Sequence, residues 1–188
     1  VVSNVNTMES MFEGATNFNK SLTKWDLNSV VTVDNMFSGA TNLTYHNKGT
    51  PIIKNNKFVF IFNDTLIQNA VNEWTTDKSA ATTTYGEINT WDVSQVTDMS
   101  ELFAHKADFN DDISDWDVSS VNTMESMFEH ATNFNQDISD WDVLNVATME
   151  RMFLFATNFN KSLNKWNLNS DVTVDNMFSG ATNLTYHN

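Results

Sequence analysis

Two histidines that stand 25 residues apart are the first candidates for chemistry. If the chain repeats with that period, His105 and His130 stack on adjacent repeats, and two stacked imidazoles can hold a metal ion. The next equivalent position holds Phe155, and glycine takes the place at positions 14, 39 and 180. The pattern therefore predicts a variable, exposed position and no metal site.

A run of aspartates is the second candidate, because calcium prefers several converging oxygen ligands. The run at residues 111–117 (DDISDWD) fits neither an EF-hand loop nor a glycine-rich calcium repeat. Asp115 and Asp117 would point outward together from a strand, so weak calcium bridging between repeats stays open as an alternative. The run predicts a solvated acidic face.

The sequence lacks the motifs of nucleophilic, zinc and phosphate chemistry. It has no cysteine and only five glycines. Its carboxylates recur in several repeats, whereas an active site is normally singular. We therefore predict no enzymatic activity, no catalytic residues and no cofactor.

The charge of the chain restricts its partners. A formal net charge of −14 cannot neutralise phosphates, so nucleic acid is excluded as a partner, and anionic membranes repel the chain. No stretch is apolar enough to span a bilayer, and no direct membrane insertion is expected in this segment. Aspartates crowd the middle repeats, whereas Lys161 and Lys165 lie in the last one, which could help to set a head-to-tail order of units.

The elements that position these residues repeat on two scales. Residues 2–47 recur as residues 143–188, at an offset of 141 residues and with eight differences. We expect residues 1–47 to be the last two repeats of a preceding unit and residues 48–188 to be one full unit. Within that unit, residues 48–88 form a non-repeating strand-helix cap or junction, and residues 89–188 form four short repeats.

The short repeat, called a rung below, is 25 residues long. Periods of this length indicate stacked units, none of which can bury its apolar side alone. The same residue types return at the same place in each rung, and we predict that they stack into structural ladders. The ladder positions are Trp25, Trp91, Trp116, Trp141, Trp166, Phe103, Phe128, Phe153, Phe178, Asn110, Asn135 and Asn160.

Each rung combines two patterns. Around Trp116, residues alternate with a period of two, which predicts a short strand with one buried face. Val121, Met124, Phe128 and Ala131 follow at steps of three, four and three, which predicts a short helix. Together they predict an α/β repeat fold, a right-handed leucine-rich-repeat-like solenoid with one short parallel strand and one short helix per rung.

The rung sequence resembles a known family, the BspA-like leucine-rich-repeat surface proteins, whose repeats also occur in mycoplasma lipoproteins. The matching residues are Trp116, Asp117, Val118, Ser119, Met124, Met127, Phe128, Ala131, Phe134, Asn135, Asp137, Ile138, Ser139 and Trp141. The resemblance covers residues 1–47 and about 88–188. It implies an extracellular or cell-surface location, a role in adhesion or matrix contact, and no catalytic residues.

The non-repeating segment is expected to cap a unit or to join two units. Residues 58–62 (FVFIF) are typical of a strand, and we predict Phe58, Phe60 and Phe62 to be unit-junction residues. Asn63 offers an N-cap to a helix that continues to about Trp74. The strand either closes the open end of its own unit or pairs with the last rung of the unit before it.

The recurring asparagines have two interpretations. Those at ladder positions, such as Asn135, are expected to satisfy backbone groups inside the coil. Others begin N-x-S/T sequons and are candidate glycosylation sites if the protein is secreted from a eukaryotic cell. These are Asn42, Asn63 and Asn183.

Two functions follow from these patterns. The first is a non-enzymatic structural tandem-repeat protein of an extracellular filament or cell-surface layer, whose partners are copies of itself joined head to tail. The alternative is a surface adhesin that binds a protein or a glycan on the exposed face of its solenoid. The 141-residue duplication favours the first, and the family resemblance favours the second.

Overall fold

The computed structural model describes residues 2–20, 22, 25–43, 53–54, 56–58 and 61–185. Two rungs come first, then a hairpin and two helices, and then four more rungs. The elements are β1 (Ile53–Lys54), β2 (Lys57–Phe58), α1 (Asp64–Thr76), α2 (Lys78–Tyr85) and a 3-10 helix (Ile88–Thr90). The strands β1 and β2 pair antiparallel and form the hairpin.

The two helices begin at polar caps. The Asn63 side chain accepts the amide hydrogen of Leu66 at 2.9 Å, so α1 begins where the sequence predicts. Asp77 ends α1 and caps α2, because its carboxylate accepts the amide hydrogen of Ala80 at 3.0 Å. Such caps satisfy amide hydrogens that have no partner within the helix.

The rungs stack in parallel, with equivalent residues above one another. Isolated parallel bridges join successive rungs at Asp98, Thr123, Thr148 and Thr173, and another joins Thr7 to Thr32 in the first two rungs. Backbone hydrogen bonds continue on both sides of each bridge, as from Met124 N to Thr148 O at 2.9 Å. The contacts between rungs are therefore contacts between residues about one repeat apart in sequence.

The segment expected to be a helix in each rung is a series of tight turns. The amides of Met127 and Glu129 donate to carbonyls three residues earlier. The amides of Ser126 and Phe128, which alternate with them, donate to the following rung instead. Ser126 also has a φ of +53°, a left-handed value that an α-helix excludes.

The apolar spacing does not separate these two structures. Met124, Phe128 and Ala131 are buried in the turns, as they would be on one face of a helix. A left-handed residue costs about 1–2 kcal/mol, and each hydrogen bond to the next rung returns about 1 kcal/mol. The neighbouring rung thus supplies the acceptors that a helix would supply to itself.

The segment around Trp116 is not a strand either. The Trp116 amide closes a turn by donating to Ile113 O at 3.2 Å. The parallel bridges lie seven residues further on, at Thr123. The alternation of buried and exposed residues around Trp116 is present, but the pairing that defines a sheet lies elsewhere in the rung.

The core is a set of ladders. Phe103, Phe128 and Phe153 stack with their ring planes almost parallel and their centroids 5.4 and 5.5 Å apart, and all three are fully buried. Two buried clusters form, one in the first two rungs with Phe58 and one in the helices and the last four rungs. Phe58 of the hairpin belongs to the first cluster, and Phe62 belongs to the second.

Candidate functional site

The hairpin packs on the second rung of the chain. The Leu27 amide donates to Asn56 O at 2.8 Å, so the hairpin is hydrogen-bonded to that rung. Phe58 is buried, with its ring 6.2 Å from Trp25 and 6.5 Å from Phe37. Lys57 adds an exposed ion pair with Asp26 at 2.9 Å.

The residues that follow the hairpin pack on the next group of rungs. Ile61 forms a parallel bridge with Asp92, and the Phe62 amide donates to Asp92 O at 3.0 Å. The Phe62 ring stacks on Trp91 at 4.7 Å. Phe58 and Phe62 are only four residues apart in the sequence, but they belong to different buried clusters. Phe60, the third predicted junction residue, lies outside the described residues.

Two aspartates attach the helices to the rungs. Asp64, the first residue of α1, accepts hydrogen bonds from the amides of Thr97 (2.7 Å) and Asp98 (3.0 Å) and from the Thr97 hydroxyl. Burial acts to raise the pKa of Asp64, but these hydrogen bonds outweigh it and hold the pKa below its ordinary value. Asp111 accepts from the indole of Trp74 at 2.8 Å and from Lys78.

The last rung has an exposed apolar surface, called the end face below. It is formed by Leu168, Val174 and Phe178, whose exposed fractions are 45%, 43% and 37%. Their counterparts 141 residues earlier lie in the rung that the hairpin contacts, and all of them are buried. These counterparts are Leu27, Val33 and Phe37.

The tryptophans form a hydrogen-bonded ladder. The indole of Trp116 donates to Ile88 O at 2.8 Å and that of Trp141 to Ile113 O at 3.2 Å. The indole of Trp166 makes the equivalent bond, at 3.0 Å. Each bond crosses from one rung to the one before, so the indoles fix the rungs against each other.

Two rows of asparagines line an open groove of about 550 Å³ on the stack, called the asparagine groove below. One row is Asn110, Asn135 and Asn160, and the other is Asn133, Asn158 and Asn183. In the motif N-F-N at residues 133–135 and 158–160, the phenylalanine is buried and the asparagines on either side are exposed or half-buried. These amides line the surface, whereas the sequence predicted the first row inside the coil.

The two rows bond differently. In the first row, Asn110 Oδ1 accepts the amide hydrogen of Asn135 at 2.8 Å, and Asn135 Oδ1 accepts that of Asn160 at 2.9 Å. In the second row the side chains bond to each other, as from Asn158 Nδ2 to Asn133 Oδ1 at 3.3 Å. The second row was not among the predicted ladder positions, although its 25-residue spacing was visible in the sequence.

The histidine pair continues into an aromatic column. The rings of His105 and His130 lie 5.0 Å apart, and the ring of Phe155 follows at 4.8 Å from His130. Among the residues that the structure describes, no group of three or more His, Cys, Asp or Glu could hold a metal ion. The three rings stack on one another at the rung surface.

Asp112 of the acidic run and Asp137, its counterpart in the next rung, act locally on the backbone. Asp112 accepts the amide hydrogen of Ser114 at 3.0 Å, and Asp137 accepts that of Ser139 at the same distance. These hydrogen bonds lower the pKa of both carboxyl groups. Their place in the structure is that of turn residues.

The three sequon asparagines occupy different environments, and all are exposed. Asn63 is the cap of α1, and Asn183 Nδ2 donates to Asn158 Oδ1 at 3.1 Å in the groove. Asn42 lies in the rung that the hairpin contacts. Their glycosylation stays a prediction.

Comparison with known proteins gives one family. The model of the family described as "Mycoplasma protein of unknown function, DUF285" matches residues 1–84 and again residues 75–187. No curated protein and no solved structure matches the chain. No helix among the described residues has the length and apolar character needed to cross a membrane.

Proposed function

We propose that this chain, which belongs to the family "Mycoplasma protein of unknown function, DUF285", is a non-enzymatic structural protein built of 141-residue units joined head to tail. The hairpin, together with Ile61 and Phe62, forms the joint. These residues contact the last rung of one copy through Phe58 and the first rung of the next through Phe62. A rigid joint of this kind suits a filament or a surface layer.

One observation carries the proposal. The end of the first copy is covered by the hairpin, and the nearly identical end of the second copy is exposed. An exposed apolar surface of this kind typically marks an interaction site. The residues of the end face match those of the first copy, which the hairpin of this chain covers. The hairpin of a further unit is therefore the occupant that fits the end face.

We also propose that the fold is a right-handed solenoid related to the BspA-like leucine-rich-repeat surface proteins. Parallel bridges between rungs, stacked phenyl rings and a ladder of indole hydrogen bonds support this. Tight turns take the place of the helices of the predicted rung. An extracellular or cell-surface location follows from that relationship, and the partners are copies of the protein itself.

Electron microscopy of an array of three or more units tests the proposal. Units repeated as residues 48–188 should form straight, continuous rods whose length grows in proportion to the number of units. Flexible beads, or separate particles joined by linkers, would contradict a rigid joint.

Two substitutions test whether the joint makes the rods rigid. Phe58→Asp places a charge in a buried junction position and should turn the rods into flexible chains, because an unpaired buried charge is unfavourable. Val30→Asp is the matched control, since Val30 is 71% exposed and the second copy already has Asp171 at this place. Circular dichroism should show that the rungs of both variants stay folded.

The adhesin alternative rests on a different surface. It requires a lateral face that binds a ligand, and the asparagine groove is the lateral feature that favours it. The two functions are compatible, because a rod can also carry binding sites along its length.

A further inference from the structure

We propose that the asparagine groove binds a neutral, linear polysaccharide that lies along the stack of rungs. Among the described residues, six asparagines, three in each row, line the groove, and no charged side chain is part of that lining. The carboxylate of Asp108 lies next to it and accepts a hydrogen bond from Asn133 Nδ2 at 3.3 Å. Neutral amides both donate and accept hydrogen bonds, so they suit hydroxyl groups better than they suit ions. The proposal is independent of whether units join end to end.

The first row leaves its amide nitrogens for a ligand. Only an oxygen can accept a backbone amide hydrogen, so the bonds to Asn135 N and Asn160 N fix the orientation of the side chains that accept them. Within the described part of the chain, the Nδ2 atoms of Asn110, Asn135 and Asn160 make no hydrogen bond. Each of these nitrogens carries two hydrogens.

The second row keeps capacity as well. Asn158 Nδ2 uses one hydrogen for Asn133 Oδ1, and Asn183 Nδ2 uses one for Asn158 Oδ1. The other hydrogen of each remains, so donors stand on both sides of the groove. A ligand with closely spaced oxygen acceptors matches this arrangement.

The spacing along the groove distinguishes two kinds of extended polymer. Hydrogen-bonded rungs are separated by ~4.8 Å, whereas equivalent groups of an extended polypeptide recur every ~6.8 Å. A peptide would lose step with the asparagines within two rungs. In an extended β-1,4-linked chain each pyranose ring advances by about one rung and alternate rings present the same face, so equivalent oxygens recur about every second rung and stay in step with the amides.

Titration calorimetry with the whole chain tests the proposal. The probes are neutral hexasaccharides of β-1,4-linked glucose, β-1,4-linked N-acetylglucosamine and β-1,4-linked mannose, with an extended peptide of equal length as comparison. At least one hexasaccharide should bind at millimolar concentration or below, and the peptide should not. Binding of the peptide alone, or of no hexasaccharide, would overturn the proposal.

Matched variants locate the site. Asn133→Ala together with Asn158→Ala should weaken binding by at least tenfold, because it removes amides of the second row without removing an acceptor of a backbone amide. Asn122→Ala is the control, since Asn122 is exposed and lies outside the groove, and its affinity should equal that of the parent. Equal affinity of the parent and the double variant, with both folded by circular dichroism, would contradict the site.

Discussion

The last rung of the first copy and the last rung of the second have nearly the same sequence and different surroundings. Phe37 is fully buried beside the hairpin residue Phe58, whereas its counterpart Phe178 is 37% exposed. Leu27 and Leu168 differ in the same direction. Both rungs nevertheless have the same turns and the same threonine bridge to the rung before them, to which Val2 and Leu27 add a second bridge in the first copy. The rung is thus built by its own sequence, and what covers its end decides how much of it is buried.

The equivalent phenylalanines Phe37 and Phe178 should contribute different amounts to the free energy of unfolding. Phe37→Ala removes a fully buried ring and should lower the free energy of unfolding by ~3–5 kcal/mol. Phe178→Ala removes a partly exposed ring and should cost about 1 kcal/mol. Urea unfolding of both variants, followed by tryptophan fluorescence, measures the difference. Equal losses would show that the hairpin does not bury the first site.

Two equivalent glycines, Gly39 and Gly180, have different neighbours in the two copies, because Gly14 in the first copy is replaced by Phe155 in the second. Gly39 and Gly180 both have left-handed φ values, +70° and +77°, so alanine is strained at either position. A Cβ on Gly180 would also lie 2.3 Å from the ring of Phe155, whereas one on Gly39 would meet only Gly14, at 3.5 Å. Phe155 and Gly14 are themselves counterparts in the two copies.

The expected effects differ accordingly. Gly39→Ala should cost about 1 kcal/mol for the backbone alone. Gly180→Ala should cost about 1 kcal/mol more, because the Phe155 ring must leave its stack on His130. Urea unfolding provides the measurement, and Phe155→Gly made together with Gly180→Ala should remove the extra cost. A difference that persists in the double variant would contradict this explanation.

Acid should destabilise the part of the chain that contains the helices and the last four rungs. The pKa values of Asp64, Asp112 and Asp137 are lowered in the folded chain. A carboxyl group with a lowered pKa contributes stability above its ordinary value of 3.8, and that contribution is lost as the pH falls through the folded value. The urea concentration at the unfolding midpoint should therefore decrease as the pH falls below 3.8.

Asp64 provides the specific variant for this prediction. Asp64→Asn should lower stability at neutral pH, since the amide replaces a charged acceptor of two backbone hydrogens. It should also make the remaining acid dependence shallower. An acid dependence that is the same in parent and variant would show that Asp64 does not titrate with a lowered pKa.

The smallest effect is expected at the exposed ion pair of the joint. Asp26→Asn copies the residue that the second copy has at position 167 and removes the pair with Lys57. Because both side chains are exposed, stability at neutral pH should stay within experimental error. The hydrogen bond and charge of Lys57 lower the pKa of Asp26, so a small acid-dependent part should disappear with it. A large loss would mean that charge, rather than Phe58, holds the hairpin.

The ladders of stacked rings and the helix cap could be predicted from the sequence. The ladders depend on contacts that recur with the period of the repeat. The stacking of Phe103 on Phe128 and the indole bonds of Trp116 and Trp141 join residues one repeat apart or nearly so. The cap at Asn63 depends on residues three positions apart. A periodic pattern and a local cap contain the information for both.

Other features depend on where backbone hydrogens are donated, which side-chain spacing does not determine. Met124 and Phe128 are buried in a helix and in a series of turns alike, so the period predicted a helix where the chain has turns. The asparagine groove needs both Asn133 and Asn135, on either side of a buried phenylalanine. Each row was visible as a repeat, but the groove between the rows requires the turn geometry.

Hydrogen exchange at two equivalent amides tests the central claim most directly. The Leu27 amide is bonded to Asn56 O of the hairpin, whereas the amide of Leu168 makes no hydrogen bond within the described residues. In the Asp26→Asn variant the residues next to both leucines are the same, so their intrinsic exchange rates can be compared without correction. If the hairpin joins the units, the Leu27 amide should exchange much more slowly than that of Leu168, as resolved by NMR. Equal exchange at the two amides would contradict a joint formed by the hairpin.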